Sequence, residues 1–119
     1  MFTLTSSHKY FLYSSPTDMR KSFDALSGII LSQMLKNPTS GDVFIFINKN
    51  RNQIKLLHWE TGGFCLYYKR LESGTLELPQ IGQNTQTLQI NWTDLVMIIQ
   101  GISLKNIQRK VRYSSNNST

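Results

Sequence analysis

The sequence predicts an α+β fold, a small antiparallel β-meander packed with two α-helices. Three observations carry that expectation. Five consecutive apolar residues of β-forming type, Val43–Ile47, precede two further strand patterns joined across Thr61-Gly62-Gly63. Two stretches with apolar residues at helical spacing, one after Pro16 and one after Asn91, flank those strands in the chain. The 119 residues, 39% of them hydrophobic, suffice for one core and are marginal for two.

In chain order, His8–Tyr13 is aromatic and bounded by serine and proline, which reads as a short strand. Ser14-Ser15-Pro16-Thr17-Asp18 has the chemistry of a helix start. Proline fits a first turn, Ser15 or Thr17 can cap backbone N–H groups, and Asp18 complements the dipole. Met19, Phe23, Leu26, Ile30 and Met34 then recur at helical spacing, widened by Ile29, which predicts about 17 residues of amphipathic helix. Gly28 inside it costs about 1 kcal/mol relative to alanine, which points to close packing against a neighbour. Asn37-Pro38-Thr39-Ser40-Gly41 ends the helix.

Val43–Ile47 is short and flanked by turn residues, as a strand buried on both faces requires. After the basic turn at residues 48–52, Ile54–Glu60 and Phe64–Leu71 complete the meander. Alternation in the last strand puts Phe64, Leu66, Tyr68 and Arg70 on one face, with Cys65, Tyr67, Lys69 and Leu71 on the other. Residues 72–85 read as a loop with one extended stretch at Leu76–Leu78, and Thr87–Ile90 as a final short strand. Asn91-Trp92-Thr93-Asp94 resembles a capping box opening a helix over Leu95, Val96, Ile98 and Ile99, stopped at Gly101. The expected organisation is one domain over residues 1–113, with a basic C-terminal arm from about residue 105 and a frayed polar tail at 114–119.

The chemistry of sites narrows the function. The acidic residues Asp18, Asp24, Asp42, Glu60, Glu72, Glu77 and Asp94 are scattered without the clustering that metal-assisted phosphoryl transfer needs. His8, His58 and Cys65 lack a fourth ligand for a closed zinc site. Gly62-Gly63 has neither the lysine nor the strand-to-helix setting of a phosphate loop. Cys65 on an apolar strand reads as a small hydrophobe rather than a nucleophile. The expectation is therefore no catalytic residue, no metal and no cofactor. One cysteine, no run of apolar residues long enough to span a membrane and no signal-like N-terminus lead us to expect a cytoplasmic protein.

The charge is uneven, and its placement matters more than its total of +6. Lys49, Arg51, Lys55, Lys69 and Arg70 against Glu60 give +4 within residues 49–70. Lys105, Arg109, Lys110 and Arg112 give +4 beyond Leu104, whereas residues 71–104 carry −3. Two short cationic segments are the footprint that phosphate binding needs. If the strands pair as a meander, the 49–51 turn and the 69–70 strand end meet at one edge, where Tyr67 and Tyr68 interleave with cations. Arg20 and Lys21, in the expected first turns of the helix, read as a phosphate clamp or, blandly, as Arg20 paired with Asp24 beside an Asp18 cap. The basic segment from Lys105 reads as an arm that gains order on a polyanion.

The blocks Pro16-Thr17-Asp18-Met19-Arg20-Lys21-Ser22-Phe23-Asp24, Gly41-Asp42-Val43-Phe44-Ile45-Phe46, Ile54–Glu60 and Gly63-Phe64 with Leu66–Gly74 together resemble the transposition protein B (TnpB) accessory family of insertion-sequence-66-type bacterial elements. The chain departs from that pattern at Ala25, where glycine is common, and in a less charged stretch over residues 75–90. The resemblance implies a non-catalytic accessory to transposition, working beside a separate, larger transposase. Taken together with the two cationic segments and the lack of a catalytic constellation, it leads us to expect DNA as a partner, at element ends or as non-specific duplex, and no membrane. The competing reading is a protein-interaction module that contacts the transposase and never touches DNA, motivated by the aromatics Phe2, Tyr10, Tyr13, Tyr67 and Tyr68.

Overall fold

Every residue of Val43–Ile47 is buried, and the architecture follows from covering that run on both faces. The structure, a computed structural model, describes residues 4–100. In order they form β1 (Tyr10–Tyr13), α1 (Phe23–Ser32), β2 (Val43–Ile47), β3 (Gln53–Glu60), β4 (Gly63–Arg70), β5 (Thr87–Ile90) and α2 (Trp92–Ile99). The five strands make one sheet in the order β4-β3-β2-β1-β5. This is the expected α+β fold, with the meander β2-β3-β4 antiparallel throughout. β1 joins β2 in parallel, because α1 intervenes as a crossover, and β5 closes the other edge antiparallel to β1.

Strand alternation sorts the core into two layers. Phe11, Phe44, Phe46 and Leu57 point to the face covered by α1, where Leu26, Ile30 and Met34 meet them. Tyr10, Leu12, Val43, Ile45, Ile47, Ile54, Leu56 and Ile90 point to the opposite face, covered by Leu95 and Ile98 of α2. The segment between β4 and β5 crosses this second face from edge to edge and seats the buried Leu76 in the same core. It contains no strand and is the expected loop, pinned by the Leu76 N–H to the Arg51 carbonyl at 2.6 Å. The β3-β4 turn is two residues long, Thr61 at φ 47° and Gly62 at φ 80°, the double positive φ that fits the twist of a hairpin. Beside it Trp59 and Phe64, paired across the strands, meet edge to face at 4.9 Å.

The first helix corrects two expectations. It begins at Phe23 and runs for 10 residues, so Thr17–Ser22 is an ordered loop and neither Ser15 nor Thr17 caps it. Thr17 is buried and donates its N–H to the carbonyl of Ile47 at 2.9 Å, tying the loop to the end of β2. The carbonyls of Met19 and Lys21, which a longer helix would pair with the N–H groups of Phe23 and Ala25, both accept hydrogen bonds from the Lys55 ammonium at 2.7 Å. Gly28, for its part, lies exposed on the outer face, with nothing within 4 Å of where a Cβ would stand. It answers to no packing demand. At the other end Leu35 takes φ 56° and the Lys36 N–H reaches the Ile30 carbonyl at 3.0 Å, closing the helix with a left-handed residue that is not glycine.

The second helix starts as expected. Asn91 is its N-cap, and its side-chain oxygen accepts the Asp94 N–H at 2.8 Å. Gly101, proposed as its stop, lies outside the described residues, as do Phe2, the basic arm from Lys105 and the polar tail. The two N-caps make opposite predictions, because Ser22 makes no side-chain cap bond whereas Asn91 does. Asn91→Ala should cost about 1 kcal/mol and Ser22→Ala close to nothing. Urea denaturation midpoints measure both, and equal losses would contradict the cap assignment.

Candidate nucleic-acid interface

On the α1 face of the sheet, Lys55 of β3 meets the loop at residues 16–22 instead of a helix. Lys55 fixes the loop in place. Its alternation on β3 directs it to the α1 face, where it is buried, bonded to the two loop carbonyls and set 4.8 Å from the centre of the Tyr68 ring. A buried ammonium is tolerated only when its donors are engaged, and here oxygen acceptors and an aromatic face engage it. Between this loop and the turn joining β2 to β3 lies an open groove of about 600 Å³. Arg20 and Lys49 stand on it with Asp18, and Met19 and Tyr68 supply apolar surface.

The turn itself is built by Asn48. Its side-chain oxygen accepts the N–H groups of Asn52 and Gln53 at 3.0 and 2.9 Å, and its NH₂ donates to the Asn52 side chain at 2.7 Å. That scaffold places Lys49, Asn50 and Arg51 outward, all exposed, with Arg51 at φ 56°. Arg70 pairs in register with Gln53, so it reaches the same end of the sheet. Five exposed cations, Arg20, Lys21, Lys49, Arg51 and Arg70, therefore surround one corner of the molecule.

The corner is not uniformly positive. Arg20 is paired with Asp18 rather than Asp24, its guanidinium donating from Nε and Nη2 at 3.0 and 2.6 Å, and the Arg20 N–H also reaches Asp18. These hydrogen bonds from the Arg20 side chain, then from its backbone, hold the Asp18 carboxyl down at about 2. Arg70 pairs with Glu72 at 3.0 Å, with both side chains largely exposed.

The remaining candidates of the sequence stand elsewhere. Lys55 has its ammonium on internal carbonyls, so it organises the corner from beneath. Lys69 is on the opposite face and donates to the Ile99 carbonyl at 2.6 Å, favourable placement for a cation at a helix C-terminus. Tyr67 shares that face and packs half-buried against the α2 core. Lys105, Arg109, Lys110 and Arg112 lie outside the described residues. Of the aromatics put forward as an interface, Tyr10 is fully buried and Tyr13 half-buried, whereas Tyr68 is 52% exposed. Gln53 is the groove residue that the sequence did not single out, whereas Tyr68 was already named there beside the cations. Alternation placed Tyr68 with Arg70, and its register with Lys55 sets it on the α1 face at the groove.

On the other face, His8 and His58 meet edge to face at 4.9 Å, and Glu60 lies 3.4 Å from both His58 and the Cys65 sulfur. The Cys65 thiol is pushed up by loss of water and then by the Glu60 carboxylate that accepts its S–H, the reverse of what a thiolate nucleophile needs. Among the described residues no three His, Cys, Asp or Glu side chains converge to hold a metal ion.

The loop, the buried strand and the hairpin that frame this corner are the blocks on which the sequence resemblance rested. A model of the IS66 Orf2-like protein family matches residues 8–109. The chain belongs to that family. It is thus one of the transposition-associated accessory proteins of IS66-type insertion sequences. The IS66 Orf2-like chain is 26% identical over 97 residues to the uncharacterised protein y4jC of Sinorhizobium fredii, covering 82% of this chain and 81% of that one. It is 27% identical over 96 residues to y4hO of the same organism, covering 81% and 82%. No solved structure matches it. No helix among the described residues is long and apolar enough to cross a membrane.

The Asp18–Arg20 pair gives a direct test of this geometry. A depressed carboxyl pKa means the pair stabilises the loop above the ordinary value of 3.8 and is lost as pH falls through about 2. An NMR titration of the Asp18 carboxyl carbon should show a midpoint near 2, returning toward 3.8 in Arg20→Ala. An ordinary midpoint in the unsubstituted protein would show the pair absent in solution.

Proposed function

We propose that this IS66 Orf2-like protein is a non-catalytic accessory that binds DNA through the cationic corner and assists the transposase of its element. The observation that carries this is that Arg20 and Lys49, from two separate segments, line one groove, with the exposed Lys21 and Arg51 next to them in the chain and Arg70 in register with the groove residue Gln53. Packing does not require these side chains, and a solvated edge needs no such convergence from distant parts of the chain. Phosphates of a polyanion do. The arm from Lys105 would add four further positive charges to the same partner.

A second reading is favoured by one specific feature. Phe23, Leu31 and Leu35 of the first helix region are 41%, 58% and 80% exposed, a set suited to contact with a protein such as the transposase. In that role the helix would serve transposase docking and leave DNA to the corner.

A gel-shift titration across a salt series, on element-end and unrelated duplex, tests the DNA reading. Binding should weaken with salt at a slope of about 0.9 in log units for each phosphate neutralised. Replacing Lys49 and Arg51 together by alanine should lower the slope by about 1.8, and truncation after Leu104 should flatten it further. Asp18→Asn, which removes the competing carboxylate, should tighten binding. Absence of binding at low salt, or a slope unmoved by these changes, would overturn the proposal. Association with the purified transposase that survives nuclease treatment would favour the protein-contact reading.

A further inference from the structure

A surface that only neutralises phosphates can be convex and entirely charged. This corner is neither. Its groove of about 600 Å³ falls in the size range of small-molecule pockets and has an apolar side formed by Pro16, Met19 and the Tyr68 ring. Amide groups of Asn50 and Gln53 line it as well, beside the cations Arg20 and Lys49. Flat apolar surface, amide hydrogen-bonding groups and cations in one hollow match the base, base edge and phosphate of a single nucleotide.

Tyr68 is the element that makes this more than a mixed surface. It sits on the edge strand β4, is 52% exposed, and yet is held from two sides. Its hydroxyl donates to the Gln53 side-chain oxygen, and the Lys55 ammonium sits 4.8 Å from its ring centre. An exposed aromatic ring fixed in place, with a cation already at one face, stacks a second planar group without first losing rotamer freedom. The same Gln53 contact leaves the amide NH₂ of that side chain as a donor toward a base edge. Arg20, although paired with Asp18 through Nε and Nη2, keeps the rest of its five N–H donors for a phosphate.

We propose that the groove takes one unpaired nucleotide, its base stacked on Tyr68 and its phosphates at Lys49 and Arg20, so that the protein engages single-stranded DNA in preference to an intact duplex. A paired base is stacked inside the helix and cannot offer its face to Tyr68. The inference rests on the DNA-binding reading above and adds the strand state to it. Recognition by stacking is tolerant of sequence, since every base has a π-face.

The test separates base from charge. Fluorescence anisotropy is measured on the full chain with three probes of equal length: oligothymidine, the same strand with abasic sites throughout, and a duplex. The abasic strand keeps the phosphates and lacks the bases. The unsubstituted protein should bind oligothymidine about tenfold or more tighter than the abasic strand. Tyr68→Ala should remove that difference, Tyr68→Trp should keep it, and neither should move duplex affinity. The comparison of probes on the unsubstituted protein needs no variant to fold. Equal affinity for oligothymidine and the abasic strand overturns the inference, as does a Tyr68→Ala loss shared equally by single strand and duplex. In both cases the DNA-binding proposal stands. Failure to bind any of the three at low salt overturns both.

Discussion

The Lys55 ammonium is the contact on which the functional corner depends. It is buried on the α1 face of the sheet and bonded to the carbonyls of Met19 and Lys21, 36 and 34 residues distant in sequence. Hydrogen bonds from a charged donor contribute about 1.5–3 kcal/mol each, and an ammonium left buried without them would cost more than that. The chain at residues 19–21 therefore stays non-helical because its carbonyls have a better partner across the sheet than along the helix. Helix α1 starts late, a hollow is left over β3 and β4, and Arg20 faces it. The same ammonium braces the Tyr68 ring that lines the hollow.

This arrangement divides cations by use. Lys55 and Lys69 hold the fold, one at the loop and one at the end of α2, on opposite faces of the sheet. Arg20, Lys21, Lys49, Arg51 and Arg70 remain at the surface. A basic total is thus a poor count of what is available to a polyanion, because a lysine stem can be packed and its head satisfied internally. Carboxylates temper the corner further, since Asp18 and Glu72 each engage an arginine there.

Most of the fold was legible because its signals were local. The apolar run Val43–Ile47, the turn before Gly63 and the Asn91 cap each act within a few residues, and each strand lies within one or two residues of its expected bounds. The start of α1 was not, although Pro16, Thr17 and Asp18 are good helix-start residues. What displaced the start is Lys55, a contact more than thirty residues away that periodicity does not encode. Gly28 misled for the opposite reason, since a glycine in a helix suggests a close neighbour and here faces open space. At the site, the basic turn and Arg70 meet as the meander geometry implied, because register carries β4 back to Gln53. Tyr67 and Lys69 were grouped with them by sequence proximity, and strand alternation places both on the other face.

Membership of the IS66 Orf2-like family gives the setting, transposition, and the corner gives a physical account of how an accessory of this size would act within it. Its central claim is that the ligand lies between the 16–21 loop and the 48–53 turn, against Tyr68. Backbone amide shift mapping during titration with a short DNA tests this most directly. The account predicts shifts confined to residues 16–21, 48–53 and 68–71, with the exposed side of α1 and the 58–65 hairpin unmoved. Shifts centred on Leu31 and Leu35, with the corner silent, would contradict it.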